Sequence, residues 1–276
     1  MIGQIELLNE LNDLIDRDKY PQFIILSGPS GSGKELIAKH ISHRLGGTFV
    51  SCGNKVDEIR DIMELAYGQV DTIIYFFDKA DNMSIQARNA ILKIVEEPPI
   101  NAYFILPTED LSGVMPTIKS RGSIFNLQPY TPNELNQYIE TNGYKPTSEE
   151  KDIIVNICDT PGDIDKIINL NIIDFYNFVN LVLDNLGQVT GVNAFKIASK
   201  VKFKDDGEGY DIPLFIKMLQ YVATCRSINQ NSIPLYNTNK ACSLFRRKLS
   251  KSYSKPMNFD MWLLDVKEAL EDNATV

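Results

Sequence analysis

Three short, unbroken apolar runs mark the first half of the chain: Phe23-Ile24-Ile25-Leu26, Ile73-Ile74-Tyr75-Phe76-Phe77 and Ala102-Tyr103-Phe104-Ile105-Leu106. Each is bounded by polar or turn-forming residues and is rich in β-branched and aromatic side chains. Unbroken rather than alternating apolarity predicts strands buried on both faces, as in a parallel sheet. Thr48-Phe49-Val50 and Ile124-Phe125-Asn126-Leu127 are weaker strand candidates. Helical spacing fills the gaps. One helix opens at Gly33 and sets Ile37, Ile41 and Leu45 on one face; another follows Ser84, an N-cap, and turns Ala87, Ile91, Ile94 and Val95 inward. Pro98-Pro99 stops it. Strand and helix in alternation predict an α/β domain over residues 1–128 with a doubly wound parallel sheet.

The pattern changes after Pro129. Thr131-Pro132-Asn133-Glu134 reads as a helix start with proline in the first turn. Helical stretches follow near 132–142, 147–158 and 161–170, broken at Gly143 and Pro161. A small helical unit over 129–173 is expected, then a less regular helical one over 174–276, punctuated by Gly187, Gly191, Gly207, Gly209 and Pro213.

Composition narrows the partners. With 43% hydrophobic and 23% charged residues among 276, the chain is of ordinary globular make-up. Its formal charge of −8, from 28 basic and 36 acidic residues, opposes general affinity for nucleic acid. DNA contact would need a local patch; Lys240, Arg246, Arg247, Lys248, Lys251 and Lys255 lie in one stretch with no acid among them, which suits DNA, a partner's acidic face or an ordinary basic helix equally. Cys52, Cys158, Cys225 and Cys242 fall at no CxxC spacing, so no zinc knuckle or redox pair is expected, and the thiols suit a reducing cytosol. The opening MIGQIELLNELNDLID is acidic and amphipathic, unlike a signal peptide, and no apolar run reaches the ~18 residues of a membrane span. A cytoplasmic protein with no membrane partner is expected. His40 and His43, on the helix after Gly33, are assigned to a solvated face rather than to a metal.

The strongest local signal is Gly28-Pro29-Ser30-Gly31-Ser32-Gly33-Lys34, which follows a buried strand and opens a helix. That is the setting of a phosphate-binding loop. Its glycines let successive amides turn toward phosphates, the helix end adds partial positive charge, and Lys34 adds a full one. The next position, where a Ser or Thr hydroxyl ordinarily ligates Mg²⁺, is Glu35. A carboxylate ~4 Å from a phosphate charge costs about 4 kcal/mol at an effective dielectric of about 20. Glu35 also competes for the helix N-terminus, so weakened nucleotide binding is expected.

The strand Ile73–Phe77 runs into Asp78-Lys79-Ala80-Asp81-Asn82-Met83-Ser84, then Asn89-Ala90-Ile91-Leu92-Lys93-Ile94-Val95-Glu96-Glu97-Pro98-Pro99. Phe104-Ile105-Leu106-Pro107-Thr108 and Pro116-Thr117-Ile118-Lys119-Ser120-Arg121-Gly122 follow. Over about 23–128 this series resembles the AAA+ clamp-loader subunits of replicative DNA polymerases, closest to the bacterial delta-prime and gamma type or a phage counterpart. The resemblance implies an AAA+ phosphate-loop module, a helical lid and a helical C-terminal collar. It implies that Gly28 to Lys34 bind ATP, that Asp78 holds Mg²⁺, that Thr108 is the first sensor, and that Arg121 is an arginine finger reaching a neighbour's nucleotide. The implied partners are the other subunits of a ring, a sliding clamp and primer–template DNA; Lys93 lies on a helix that runs near the DNA in that family.

The departures point to a site that does not fire. Lys79 stands in place of the catalytic glutamate, Glu35 in place of the magnesium hydroxyl, and Gly162 where a second-sensor arginine is expected. The family's zinc module is missing. Gly122 replaces a cysteine, a change expected to matter little. A delta-prime-like subunit that completes a neighbour's ATPase is the expectation. The alternatives are a hydrolysing motor subunit, with Asp81 orienting water, and another AAA+ role such as a helicase loader.

Overall fold

A computed structural model describes residues 2–68, 70–77, 83–185, 201–202 and 210–230, with Thr238, Cys242, Trp262 and Val266 as single positions. The chain divides into two compact units, one of residues 1–145 and 158–166, the other of 146–157 and 167–276.

The first unit is built on five strands: β1 (Phe23–Ser27), β2 (Thr48–Cys52), β3 (Ile73–Phe77), β4 (Ala102–Thr108) and β5 (Ser123–Asn126). All pairings are parallel, in the order β2-β3-β4-β1-β5. The unbroken apolar runs are thus strands covered on both faces. Phe23, Ile25, Tyr75, Phe77, Phe104 and Leu106 face one core, shared with the inward side chains of α3 (Val56–Tyr67) and α4 (Ile85–Glu96). Ile24, Leu26, Ile74, Phe76 and Ile105 face the other, with α1 (Ile5–Asp16) and α2 (Lys34–Arg44). Ser84 caps α4 by accepting from the Ala87 amide at 3.1 Å, and Ala87, Ile91, Ile94 and Val95 are buried. A short helix α5 (Pro116–Lys119) leads into β5.

Helix α6 (Pro132–Thr141) starts with a capping box between Thr131 and Glu134. Such reciprocal bonds satisfy two amides that the first turn leaves open. A seven-residue helix α8 (Pro161–Ile167) contributes its residues up to Lys166 to the same unit. In the second unit, α7 (Ser148–Ile157), α9 (Ile172–Asn185) and α10 (Ile212–Gln230) pack together. Phe215 meets Phe175 at 6.5 Å and the edge of Trp262 at 6.3 Å between ring centres. This region was expected to be wholly helical. A small parallel pair, β6 (Val201–Lys202) and β7 (Tyr210–Asp211), departs from that. Two residues per strand leave no periodicity to read. The basic stretch 240–255 lies outside the described residues apart from Cys242. Among the described residues no helix is long and apolar enough to cross a membrane.

The sheet's stability rests on β4, the central strand. Phe104 is 1% exposed and stacks on Tyr75 at 5.3 Å and on Phe77 at 6.2 Å. Phe104→Ala is expected to cost about 3–5 kcal/mol in a urea unfolding titration. A loss below about 1 kcal/mol would show that the core closes over the deletion.

Candidate functional site

In an open parallel sheet, ligands bind beyond the carboxyl ends of the strands, where strand order reverses. Strand β1 sits between β4 and β5, so its carboxyl end lies at such a point. The loop that leaves it, Gly28 to Gly33, is tied to both neighbours: the Gly28 amide donates to the Thr108 carbonyl at 3.0 Å, and Leu127 N–H to the Ser27 carbonyl at 2.8 Å. Gly31 and Gly33 have φ of +73° and +90°, values that side chains with a Cβ rarely adopt.

Every carbonyl of the loop is taken. Lys34 Nζ donates to Gly28 O at 2.6 Å and to Pro29 O at 2.8 Å. Thr160 Oγ1 donates to Ser30 O at 3.1 Å, Gly162 N–H to Gly31 O at 3.1 Å and Tyr130 Oη to Ser32 O at 2.9 Å. The loop's peptide bonds are trans, and the N–H and C=O of a trans peptide point opposite ways. The amides of Gly31 and Gly33 therefore point away from Thr160 and Tyr130. Gly31 and Gly33 line an open cavity of about 730 Å³. A loop with its carbonyls held back and its amides turned outward suits an oxyanion group.

The attachment to α8 depends on two glycines. A Cβ on Gly162 would lie 2.5 Å from Gly31 Cα, and one on Gly31 would lie 2.8 Å from Gly162 Cα and 2.9 Å from Thr160 Oγ1. Thr160 is 1% exposed, and its hydroxyl also accepts from the Asp163 amide at 3.2 Å. Tyr130 is held by its own chain: Gln4, just before α1, donates Nε2 to Gln128 O at 2.7 Å and accepts Gln128 N–H on Oε1 at 2.8 Å. Burial, and secondarily Glu134, raises the pKa of Tyr130 above its ordinary value, so its hydroxyl remains a donor.

The far wall belongs to α6 and α8. Tyr138 Oη donates to Asp165 at 2.9 Å and Tyr144 Oη to the same carboxylate at 3.0 Å. Burial first, and then Asp165, pushes Tyr138 up to about 12. Among the described residues the cavity walls hold one basic side chain, Lys34, and three acids, Glu35, Glu109 and Asp165. That balance disfavours a triphosphate, although the loop's shape accepts one.

The residues singled out from sequence fare differently. Gly31 to Glu35 line the cavity together with Ser30. Glu35 was expected to crowd the phosphates or satisfy the helix end. No side chain caps α2, and Glu35, which keeps its place on the cavity wall, pairs with Lys39 at 2.7 Å along an exposed face. Thr108 ends β4 with its hydroxyl donating to Asp110 O at 3.0 Å; Pro107 and Glu109, on either side of it, line the cavity. Asp78 to Asn82, including Lys79 and Asp81, lie outside the described residues. The magnesium assignment rests on Asp78, so it gains no geometry here. No group of three or more His, Cys, Asp or Glu is placed to hold a metal among the described residues. His43 is exposed, whereas His40 is partly buried and shares a 2.9 Å hydrogen bond with Asn12. Lys93 is exposed beside Arg60 on a groove between α3 and α4.

Arg121 lies outside the cavity, on the turn between α5 and β5, with its side chain 39% exposed. Gly122 matters more than its sequence suggested. A Cβ there would stand 2.7 Å from the Phe23 ring and 3.0 Å from Ile25 Cγ1, so the glycine lets the turn sit on β1. Gln4, Tyr130, Thr160 and Asp165 were not foreseen as site residues. Only Thr160 carried a hint, in Asp159-Thr160-Pro161-Gly162, a cap-like run before a helix.

A phosphate loop on a parallel sheet of this order, closed by helices that follow the last strand, defines an AAA+ module. A solved RuvB variant from Thermotoga maritima shares that fold, with a TM-score of 0.51 at 15% identity over 99% of this chain and 88% of that one. Residues 52–131 match the family described as DNA polymerase III, delta subunit. The replication factor C small subunit of Halobacterium salinarum is 26% identical over 61% of this chain and 57% of its own length. DNA polymerase III subunit gamma of Buchnera aphidicola is 27% identical over 51% of this chain and 47% of its own. Over these residues the chain is similar to clamp-loader subunits, and its fold is that of an AAA+ module. It spans about half the length of the curated relatives it matches.

Gly162→Ala is expected to force α8 off the loop and cost about 1–3 kcal/mol in chemical denaturation. Gly162→Arg, which supplies the arginine expected from the family, is expected to weaken binding of a fluorescent ATP analogue. Tighter binding would refute the glycine contact as a requirement of the site.

Proposed function

We propose that the chain is a clamp-loader subunit of a replicative DNA polymerase that completes a neighbour's ATPase site and turns over little ATP at its own. In this reading residues 1–128 are the AAA+ domain, 129–173 its lid and 174–276 the collar that joins a ring. Arg121 is the finger, Lys34 and the loop amides hold ATP, Asp78 holds Mg²⁺ and Thr108 senses the γ-phosphate. The other ring subunits, a sliding clamp and primer–template DNA are the partners, in the cytoplasm.

The observation that carries this reading is where the arginines are. None lines the chain's own cavity among the described residues, while Arg121 is partly exposed elsewhere. A guanidinium stays charged and offers a planar fork to phosphate oxygens, which suits work in another subunit's site. The acid-rich walls also favour weak use of the chain's own nucleotide. The preformed loop favours one competing reading, an active motor subunit that hydrolyses ATP itself.

The test is ATP turnover by the purified chain and by its complex with partner subunits, clamp and primed DNA. Arg121→Ala is expected to slow the neighbouring site on the order of 10³-fold, the lower range of arginine fingers acting in trans. Unchanged turnover in the complex would remove the finger assignment. Multiple turnovers by the chain alone, abolished in Lys34→Ala, would favour the motor.

A further inference from the structure

Glu96 and Glu97 end the Leu-Lys-x-x-Glu-Glu-Pro-Pro run, and the proposed function leaves both without a task. Glu96 is the last residue of α4, whose last turn holds Lys93 as its basic residue. A carboxylate at a helix C-terminus faces the negative end of the macrodipole and is unfavourable there. Its place is therefore poorly explained by the helix. What it touches is Arg121: Glu96 Oε1 lies 2.9 Å from Nη2, with the two side chains 51% and 39% exposed. The other branch of the guanidinium, Nη1, donates to Thr117 O at 3.0 Å. The backbone beneath is fixed by Gly122 against Phe23 and by the Arg121 amide donating to Ile118 O at 3.2 Å. The turn is thus set by packing, and the two contacts decide where the fork rests.

We propose that Glu96 is a positioning residue for Arg121, which holds the guanidinium with its charge offset until a neighbouring subunit's triphosphate draws it away. This rests on the reading of Arg121 as a finger that acts in trans. A carboxylate and a phosphate compete for the same planar donors. Triphosphate bears more charge than one carboxylate, so it wins once it is close; a product with fewer phosphates competes less well. The hold is shallow. Exposed pairs of this kind contribute about 0.2–1 kcal/mol, enough to bias the arginine and too little to trap it. The pair therefore sets how readily the finger engages, and the finger still supplies the charge.

The experiment measures ATPase activity of the reconstituted complex while this subunit is titrated against its partners. Four versions are compared: unaltered, Glu96→Gln, Arg121→Ala and the double variant. Glutamine keeps the size and an acceptor oxygen but removes the competing charge. Glu96→Gln is expected to lower the half-maximal subunit concentration by about 1.4- to 5-fold, the range such a pair allows. It should leave thermal stability unchanged or slightly raised. In the Arg121→Ala background the same change should do nothing. If Arg121→Ala itself leaves turnover intact, the trans-acting reading fails and Glu96 loses its role with it. If Arg121→Ala is inactive but Glu96→Gln behaves as the unaltered chain, the finger stands and the proposal for Glu96 alone falls. Weaker engagement by Glu96→Gln, or an effect that persists without Arg121, overturns it as well.

Discussion

A phosphate loop consists of consecutive peptides that belong to no helix or strand, and each of its carbonyls needs a donor. In this chain Lys34 and the Ile37 amide supply them from the loop's own helix, Tyr130 from after the last strand, and Thr160 and Gly162 from beyond α6. Buried backbone oxygens without such partners would cost a large part of the stability of a small domain. The approach of Gly31 to Gly162 makes the arrangement possible, because any side chain at either position would separate the two backbones. Much of the first unit follows from that contact. The αL conformation of Gly31, the burial of Thr160 and the closeness of α8 to the sheet edge form one packed arrangement.

The electrostatics of the same region run against its shape. The cavity has the curved backbone of a phosphate site, yet its described walls carry three carboxylates and one ammonium. Lys39 engages Glu35 along α2, and the hydroxyls of Tyr138 and Tyr144 engage Asp165. The tyrosines neutralise nothing, because burial and the carboxylate itself keep Tyr138 protonated, but they fix where the charge lies. Backbone shape and wall charge in this cavity therefore pull in opposite directions for an anionic ligand.

The sheet was largely legible in the sequence because burial on both faces leaves an unmistakable unbroken apolar signature. Ile24 and Ile25 serve opposite cores, and neither could be polar. The caps at Ser84 and Thr131 were legible for a similar reason, since each is a local bond between residues three apart. The loop was legible from its glycines. What surrounds it was not. Gln4 binds the backbone of Gln128, and Thr160 binds that of Ser30; both bonds span more than a hundred positions and use side chains common on any surface. Gly162 was noticed only for lacking an arginine, whereas the structure gives it a part that requires having no side chain at all. The weight of Gly122 was hidden likewise, because it depends on the ring of Phe23 a hundred residues earlier.

The path of the backbone adds a consequence of its own. The chain passes between its two compact units at 145/146, 157/158 and 166/167, so the piece that bears Thr160 and Gly162 is a nine-residue excursion, Cys158–Lys166, with the other unit's sequence at both ends. The unit that bears the phosphate loop is consequently not a contiguous stretch of gene. A chain cut after Lys145 would retain every glycine of the phosphate loop and lose the donors for Ser30 and Gly31. Swapping the first half into another protein would transplant the motif without its support. Recombination within this architecture is therefore constrained to keep residues 1–166 together, so a short piece of the second unit's sequence travels with the first.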